Sequence, residues 1–292
     1  MTEARRIVIC GGGVIGAAIA YFLSRRGARP VVIERHEVAG AASGKSGGFL
    51  ALDWCRGTPV DRLARRSFAL HAELADTLGN PWGFRRLATY AGHAAEGRTA
   101  EHPSGKSGRL PWLSDSVTIT GQIGGPQTTA LVEPHAFTSG LMRAAETLGA
   151  ELRHGTVAGL VRGPTGAIGG VALESGEMVE GDAVVIAMGP WSNLPSGLAT
   201  RWLPLPAVYG FKGHSLVFQT GAAVPAEALF LEYEEASGEV LTPEVFPRAD
   251  GTVWACAISS TGALPIDPAQ VTPDEGAHAR LEALCRSLSP AL

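Results

Sequence analysis

A glycine-rich turn near the start of the chain is the feature that most constrains its fold. Residues 7–35 read IVICGGGVIGAAIAYFLSRRGARPVVIER, and Gly11, Gly13 and Gly16 give the spacing G-x-G-x-x-G. An apolar run precedes these glycines and an apolar helical pattern follows them, which is the context that makes the bare motif meaningful. The pattern predicts a strand, a helix and a second strand, in that order, over residues 6–10, 14–26 and 30–34.

Each glycine of this turn has its own predicted role. The first allows a tight turn, the second lets the backbone approach a pyrophosphate, and the third lets the helix and strand pack closely. The helix N-terminus directs its amides and dipole at a phosphate. Glu34 lies eighteen residues after Gly16, where a carboxylate can bind both ribose hydroxyls and would repel a 2′-phosphate. The stretch therefore predicts a site for the ADP half of a dinucleotide, disfavours NADP, and leaves nicotinamide and flavin open.

A long segment of small residues follows this motif. A plain nicotinamide dehydrogenase would continue with a second helix and a third parallel strand, whereas residues 39–54 read AGAASGKSGGFLALDW. Such a loop can turn several backbone amides and the ammonium of Lys45 toward an anion. The alternative is a flexible surface loop, because Gly/Ser runs are often linkers. The position directly after Glu34 favours a second contact with a long cofactor.

Composition excludes several classes of protein. The 292 residues are 45% hydrophobic and 18% charged with a formal net charge of -4, a globular profile with no basic face for nucleic acid. Four widely spaced cysteines without a C-x-x-C pattern predict reduced thiols in a cytoplasmic protein, and no metal site. No apolar run reaches about 18 residues, so we expect no membrane span.

Further elements are predicted along the chain. A helix is expected from a cap at Thr58 to a stop at Gly79, with Leu63 and Phe68 on its apolar face. A second helix over 135–148 is followed by a strand meander and by a pure apolar strand that ends in a glycine. The meander occupies residues 156–163 and 169–189. Long antiparallel strands are expected over 202–262, with a hairpin turn at Asp250-Gly251.

In this order the segments resemble the FAD-dependent oxidoreductases of the D-amino-acid oxidase, glycine oxidase and sarcosine oxidase family. The stretches that carry the resemblance are ICGGGVIGAAIAYFLSRRG, VVIER, AASGKSGG, TTALVEPHAFTSGLMRAAETLGAEL and DAVVIAMGPWSN. The resemblance implies FAD as the cofactor. It also implies an α/β fold, with a Rossmann-like FAD-binding domain of the glutathione-reductase type and an antiparallel-sheet substrate domain. The FAD-binding domain would span 1–80 and 127–200, and the substrate domain 81–126 and 201–292.

The resemblance also implies which residues bind the cofactor. Glu34 would bind the adenosine ribose, the backbone near Val157 would lie at the adenine, and the loop 43–48 would lie near the pyrophosphate and flavin. Residues 187–189 would lie beside the cofactor. The full set of expected cofactor-binding residues is Gly11, Gly12, Gly13, Val14, Ile15, Gly16, Glu34, Arg35, Ser43, Lys45, Ser46, Gly47, Gly48, Val157, Ala187, Gly189 and Trp191.

Lys212 and His214 are the candidate catalytic residues. They lie in a predicted strand of the substrate domain among apolar neighbours. One interpretation places them on a solvated face, because lysine is seldom buried without a partner. The other places one of them near the flavin, where a cation would stabilise reduced flavin or a substrate carboxylate.

The chemistry implied by the resemblance is oxidation of a small amine or amino acid. Hydride leaves the carbon next to the nitrogen for the flavin, and water hydrolyses the resulting imine. Which amine is oxidised stays open, as does whether oxygen or another acceptor takes the electrons.

The end of the chain departs from the family pattern. Family members return to the first domain through a strand, a glycine-rich loop and a closing helix, whereas this sequence stops at Leu292 inside a predicted helix. We therefore expect a chain truncated at its C-terminus, with an incomplete substrate domain. The alternative function is a catalytically impaired or non-enzymatic remnant of the fold that lacks the segment closing over the flavin.

Overall fold

The computed structural model describes residues 5–97, 110–164, 166–193 and 209–292. The helices within these ranges are α1 (Val14–Ser24), α2 (Ala42–Lys45), α3 (Asp61–Leu78), α4 (Pro134–Thr147) and α5 (Ala277–Leu288). The strands, in chain order, are β1 (Ile7–Cys10), β2 (Val31–Glu34), β3 (Phe49–Ala51), β4 (Arg85–Arg86), β5 (Ala88–Ala95), β6 (Val117–Gly124), β7 (Thr129–Leu131), β8 (Glu151–His154), β9 (Val157–Arg162), β10 (Ile168–Leu173), β11 (Met178–Glu180), β12 (Ala183–Ile186), β13 (Phe211–Gln219), β14 (Glu227–Glu234), β15 (Val240–Leu241), β16 (Glu244–Pro247) and β17 (Thr252–Thr261). None of the helices in the described ranges is long and apolar enough to cross a membrane.

The chain divides into two compact units, each built from three segments. Unit 1 comprises Met1–Ser46, Pro134–Gly210 and Gly262–Val271, and unit 2 comprises Gly47–Glu133, Phe211–Thr261 and Thr272–Leu292. These boundaries differ from the predicted ones: residues 47–80 and 127–133 pack within unit 2, and residues 209–210 and 262–271 pack within unit 1. The assignment of each domain to cofactor or substrate stays a prediction.

Unit 1 contains a parallel sheet in the order β12-β1-β2-β8. Val8 of β1 lies opposite Val184 on one side and Val31 on the other, so β1 is central and its side chains are buried. On one face, Val8 and Ile33 pack against the antiparallel meander β9–β10–β11 through Val171. Helices α1 and α4 pack together in the same unit. The parallel core predicted from the apolar runs of 6–10 and 30–34 is confirmed.

Unit 2 is dominated by an antiparallel-rich sheet in the order β13-β17-β16-β14-β5-β6, with β15 beside β14. Leu229, Val245 and Ala255 point to one face of this sheet, where they pack with Leu281 and Leu288 of α5 in one buried core. A second small sheet has the order β3-β7-β4. Together with the parallel sheet of unit 1, this arrangement confirms the predicted α/β class with an antiparallel second part.

Three local predictions can be judged in unit 2. The turn at Asp250-Gly251 is confirmed, because Gly251 adopts a φ of 83° and Asp250 Oδ1 accepts a hydrogen bond of 2.9 Å from the Thr252 amide. The helix cap at Thr58 is wrong, since α3 begins at Asp61 and the Thr58 hydroxyl instead donates to the Cys55 carbonyl at 2.7 Å. Leu63 is 69% exposed, so it does not belong to the apolar face on which Phe68 is buried.

A buried hydroxyl pair joins the two sheets of unit 2. Thr89 and Thr129 are both completely buried, and the Thr89 hydroxyl donates to Thr129 Oγ1 at 3.0 Å. Thr129 Oγ1 lies 2.9 Å from the Leu87 carbonyl oxygen, to which it can donate. A buried polar atom that loses its partner costs the full free energy of its desolvation.

Replacing Thr129 by Val should therefore lower the free energy of unfolding by about 1–3 kcal/mol, because the Thr89 hydroxyl and the Leu87 carbonyl lose their partner. Urea denaturation followed by circular dichroism measures the change. The matched control is Thr147→Val, at an exposed position on α4, which should change stability by less than about 0.5 kcal/mol. Equal stability of the two variants would contradict the role given to Thr129.

Candidate functional site

A cavity of about 360 Å³ lies in unit 1, within the size range of small-molecule sites. It is lined by residues that directly follow all four parallel strands, namely Gly11, Arg35, Gly155 and Ala187. Ligands of open parallel sheets bind outside the carboxyl ends of the strands. The cavity therefore lies where this topology places a ligand.

Two glycines of the turn are required by the fold itself. Gly11 adopts a φ of 106°, and a Cβ there would lie 2.5 Å from the Ala187 carbonyl oxygen. A Cβ on Gly16 would lie 1.9 Å from the Gly11 carbonyl oxygen. These distances are too short for any side chain, so the roles predicted for the first and third glycines, a tight turn and a close helix-to-strand contact, agree with the geometry.

Gly13 differs from these two glycines. A Cβ on Gly13 would meet only Ser43 Oγ, at 3.1 Å, and its φ of −71° suits any residue. Gly13 also lines the cavity and is the N-cap of α1, where it has no side chain of its own to cap the helix. The fold hardly needs glycine here, whereas a ligand passing close to the backbone would. The residues present thus fit a pyrophosphate at this point.

The N-terminus of α1 has the hydrogen-bond donors that such an anion requires. The Val14 amide donates to Ser43 Oγ at 2.9 Å, which ties α2 to the start of α1. The next amides of the first turn have no acceptor within the helix, since the carbonyls that would accept them lie before its start. Ser43 and Lys45 both line the cavity. Helix amides, a hydroxyl and an ammonium are the groups from which proteins build anion sites, and the assignment of these residues to a cofactor phosphate stays a prediction.

Glu34 occupies the end of β2 and lines the cavity. Its Oε2 accepts a hydrogen bond of 2.6 Å from the Gly12 amide, and its Oε1 accepts one of 3.0 Å from the His36 amide. A carboxylate oxygen can accept two hydrogen bonds, so each oxygen keeps capacity for one more donor. Two backbone amides therefore hold the carboxylate in an orientation in which it can accept both hydroxyls of a ribose.

Residues 265–269, which we call the strap, cover one side of the cavity. Three side chains of unit 1 bind it: Trp191 Nε1 donates to the Pro265 carbonyl at 2.8 Å, Arg35 Nη1 donates to the Ile266 carbonyl at 2.8 Å, and His36 Nε2 lies 2.6 Å from Asp267 Oδ1. Pro268 and Ala269 line the cavity. The Ala269 amide and then His36 hold the pKa of Asp267 below its usual value by hydrogen bonding to the carboxylate.

The structure brings most of the predicted cofactor residues together. Those that line the cavity are Gly11, Gly13, Val14, Ile15, Glu34, Arg35, Ser43, Lys45, Val157, Ala187, Gly189 and Trp191. Gly12 and Gly16 build the turn without lining it. Ser46, Gly47 and Gly48 do not line it either, and the last two belong to unit 2. Sequence reasoning missed the strap, His36 and Glu37.

Gly47 packs instead on aromatic rings of unit 2. A Cβ on Gly47 would lie 2.5 Å from the Phe246 ring and 2.8 Å from the Trp254 ring. These rings belong to the aromatic cluster, which comprises Phe49, Trp54, Phe230, Phe246 and Trp254 with neighbouring ring centroids 4.9–5.4 Å apart. The segment predicted to lie near the flavin thus continues along an aromatic surface.

Lys212 and His214 both contact Asp274, just before α5. The Lys212 ammonium pairs with the Asp274 carboxylate and donates to the Thr272 carbonyl at 3.1 Å. His214 is buried, and its Nε2 accepts the Asp274 amide at 3.0 Å. Lys212, as the largest cause, lowers the pKa of Asp274 through this hydrogen bond. The geometry gives both side chains a part in tying β13 to the 272–274 segment, and their role in catalysis stays a prediction.

Comparison with known proteins shows what the chain is similar to. A sequence model described as "FAD dependent oxidoreductase" (DAO) matches residues 6–292. The bifunctional protein ThiO/ThiG of Nostoc sp. is 35% identical over 242 residues, which are 76% of this chain and 35% of that protein. The 4-methylaminobutanoate oxidase (formaldehyde-forming) of Paenarthrobacter nicotinovorans is 27% identical over 219 residues, 69% of this chain and 26% of that protein. The chain thus spans only about a third and a quarter of the lengths of these two relatives.

A solved structure agrees with the fold. The glycine oxidase of Bacillus cereus superposes with a TM-score of 0.77 at 21% sequence identity, over 98% of this chain and 80% of that one. At this identity the likeness shows the fold alone.

Replacing Gly13 by Val tests the cavity. We expect retained FAD to fall at least tenfold, because the new side chain enters the space that the pyrophosphate needs, while apoprotein stability changes little. Flavin content after gel filtration and the melting temperature of flavin-free protein measure the two effects. The control is Gly159→Val, in β9, where a Cβ would meet nothing within 4 Å. Full flavin retention by Gly13→Val would contradict the assignment.

Replacing Asp267 by Ala tests the strap. The change removes the acceptor of both His36 and the Ala269 amide, so the strap should loosen and the dissociation constant for FAD should rise roughly tenfold, the equivalent of one charge-assisted hydrogen bond. Quenching of flavin fluorescence measures the affinity. Asp76→Asn, at an exposed position on α3, is the control. An unchanged affinity in Asp267→Ala would show that the strap does not contribute to binding.

Proposed function

This chain belongs to the DAO family of FAD-dependent oxidoreductases, and from that premise we propose that it oxidises the C–N bond of a small amine or amino acid. The observation that carries the proposal is the cavity at the carboxyl ends of the parallel strands, with Glu34 and the open backbone at Gly13. The names of relatives support the class of substrate, since one is a 4-methylaminobutanoate oxidase and another a glycine oxidase.

We assign unit 1 to the cofactor. The amides at the start of α1 bind the pyrophosphate, Ser43 and Lys45 complement its charge, and Glu34 accepts the ribose hydroxyls. Val157 and the strap are assigned to the adenosine end, which is supported by Val157, Pro268 and Ala269 lining the same cavity as Glu34. These contacts involve only the ADP half, so they position the cofactor without taking part in the redox step.

We assign unit 2 to the substrate. Bound FAD would supply the hydride acceptor for the carbon next to the substrate nitrogen, and water would hydrolyse the resulting imine. The protein then has to present the amine in its neutral form and exclude bulk water from the reacting carbon. The aromatic cluster offers an apolar surface for the carbon skeleton of the substrate.

The test is anaerobic reduction of the bound flavin. The purified protein, reconstituted with FAD, should lose its flavin absorbance on mixing with at least one member of a panel of primary amines, N-methylamines and amino acids. The matching alcohols and 2-hydroxy acids should leave the flavin oxidised, because they lack the nitrogen lone pair that drives loss of the hydride. Admission of air then tests oxygen as the electron acceptor.

The Gly13→Val variant serves as the background, since it should carry at most a tenth of the flavin of the parent. Reduction by the hydroxy compounds or by NADH, with no response to any nitrogen compound, would contradict amine oxidation and leave the FAD site intact.

A further inference from the structure

One half-buried carboxylate, that of Glu244, lies beside the aromatic cluster on one face of the large sheet of unit 2. Glu244 of β16 is paired across the sheet with Phe230 of β14 on one side and with Cys256 of β17 on the other. Directly opposed residues of neighbouring strands point to the same face, as do residues two apart on one strand. Glu244 therefore shares its face with Phe230 and Phe246 of the aromatic cluster, opposite the face that α5 covers.

The carboxylate of Glu244 has no cationic partner among the described residues. Among the described residues, Glu244 Oε2 accepts a long hydrogen bond of 3.8 Å from the Cys256 thiol. Burial, followed by the charge of Glu244, raises the pKa of Cys256 to about 12, so this thiol is neutral and can only donate a weak hydrogen bond. Burial also raises the pKa of Glu244 itself. A carboxylate in these surroundings is stabilised by a cation placed beside it or by taking up a proton.

The face around Glu244 can be reached by a small ligand. Glu244, Phe49 and Phe230 are only partly buried, and Trp54 is 45% exposed. Aromatic faces attract a cation placed within about 6 Å of the ring centre. A carboxylate beside several aromatic rings is therefore suited to a positively charged nitrogen that carries apolar substituents.

Gly47 is the residue at which the small-residue segment of the sequence meets this face. Gly47 lies against the Phe246 and Trp254 rings, and Lys45, two residues earlier in the sequence, lines the cavity of unit 1.

We propose that Glu244 binds the protonated nitrogen of the substrate, a primary or N-methylated ammonium, against the aromatic cluster and accepts one proton from it. The proposal rests on the function proposed above. In the step, an N–H bond of the ammonium breaks and an O–H bond forms on Glu244, so the nitrogen regains its lone pair and no electrons are exchanged. The resulting neutral amine is the form from which hydride departs.

The experiment measures binding of a probe that cannot be oxidised. tert-Butylammonium has no hydrogen on the carbon next to nitrogen, and tert-butanol is its neutral counterpart of similar shape. Calorimetry with the FAD-loaded protein should show binding of the ammonium and much weaker binding of the alcohol. Glu244→Gln should weaken ammonium binding roughly tenfold to a hundredfold, as expected for loss of one charge-assisted hydrogen bond. Glu282→Gln, at an exposed position on α5 and therefore on the opposite side of the sheet, should bind it like the parent.

The pH dependence gives a second readout that a purely structural role would not produce. Ammonium binding to the parent should disappear as the pH falls through the raised pKa of Glu244, because the carboxylate becomes protonated and neutral. Binding to Glu244→Gln should not change over this range. Glu244→Asp, which keeps the charge, should recover part of the affinity.

Stability supplies a third readout. A glutamate whose pKa is raised by folding destabilises the native state when it ionises, so the penalty is absent below its unfolded pKa and grows as the pH rises through its folded pKa. Glu244→Gln should accordingly melt at a higher temperature than the parent at pH 8, and this difference should shrink at acid pH.

The outcomes separate this proposal from the proposed function. Equal probe affinity in Glu244→Gln and the parent, equal affinity for the ammonium and the alcohol, or no binding by the parent would overturn the role of Glu244. Reduction of the parent's flavin by amines would then still support amine oxidation. Failure of every amine to reduce the flavin would overturn the function, whatever the probe shows.

Discussion

The contact between Gly16 and the Gly11 carbonyl is the constraint on which the rest of unit 1 depends. Because a Cβ on Gly16 would lie 1.9 Å from that oxygen, α1 can start directly beside the end of β1 only if residue 16 is glycine. Because α1 starts so close to β1, the first turn of α1 faces the cavity and Gly13 lines it. The Gly12 amide then holds Glu34 at 2.6 Å, so one turn positions both the first amides of α1 and the Glu34 carboxylate at the cavity.

The parts that sequence predicted best are those set by local signals. β1, α1 and β2 follow from an apolar run, a glycine spacing and a second apolar run, and the structure ends α1 only two residues earlier than expected, at Ser24, because Gly27 adopts a φ of 82° and its amide bonds to the Ser24 carbonyl. The strap was not predictable in this way. Arg35 and Ile266 are 231 positions apart, and neither the PIDP sequence around Asp267 nor the residues after Glu34 signal that they meet.

The contacts of polar residues in unit 2 could not be predicted from local sequence signals either. Lys212 and His214 lie in an apolar strand and were therefore predicted as candidate catalytic residues. Both side chains contact Asp274, and the sequence does not show that the segment before α5 returns to this strand. The sequence did not indicate Glu244 as a functional residue, because a glutamate in a strand usually marks a solvated face. Its surroundings appear only when the register sets Phe230 and Cys256 beside it. Periodicity shows which residues share a face of one strand, whereas pairing decides what surrounds them.

The central claim is that the cavity of unit 1 binds the ADP half of FAD. A crystal structure of the protein with FAD tests it most directly. The account predicts the adenosine ribose hydroxyls within hydrogen-bonding distance of both Glu34 oxygens, the pyrophosphate at the first amides of α1, and the adenine between Val157 and the strap. An adenosine located elsewhere, or a pyrophosphate that does not approach Gly13, would contradict the account.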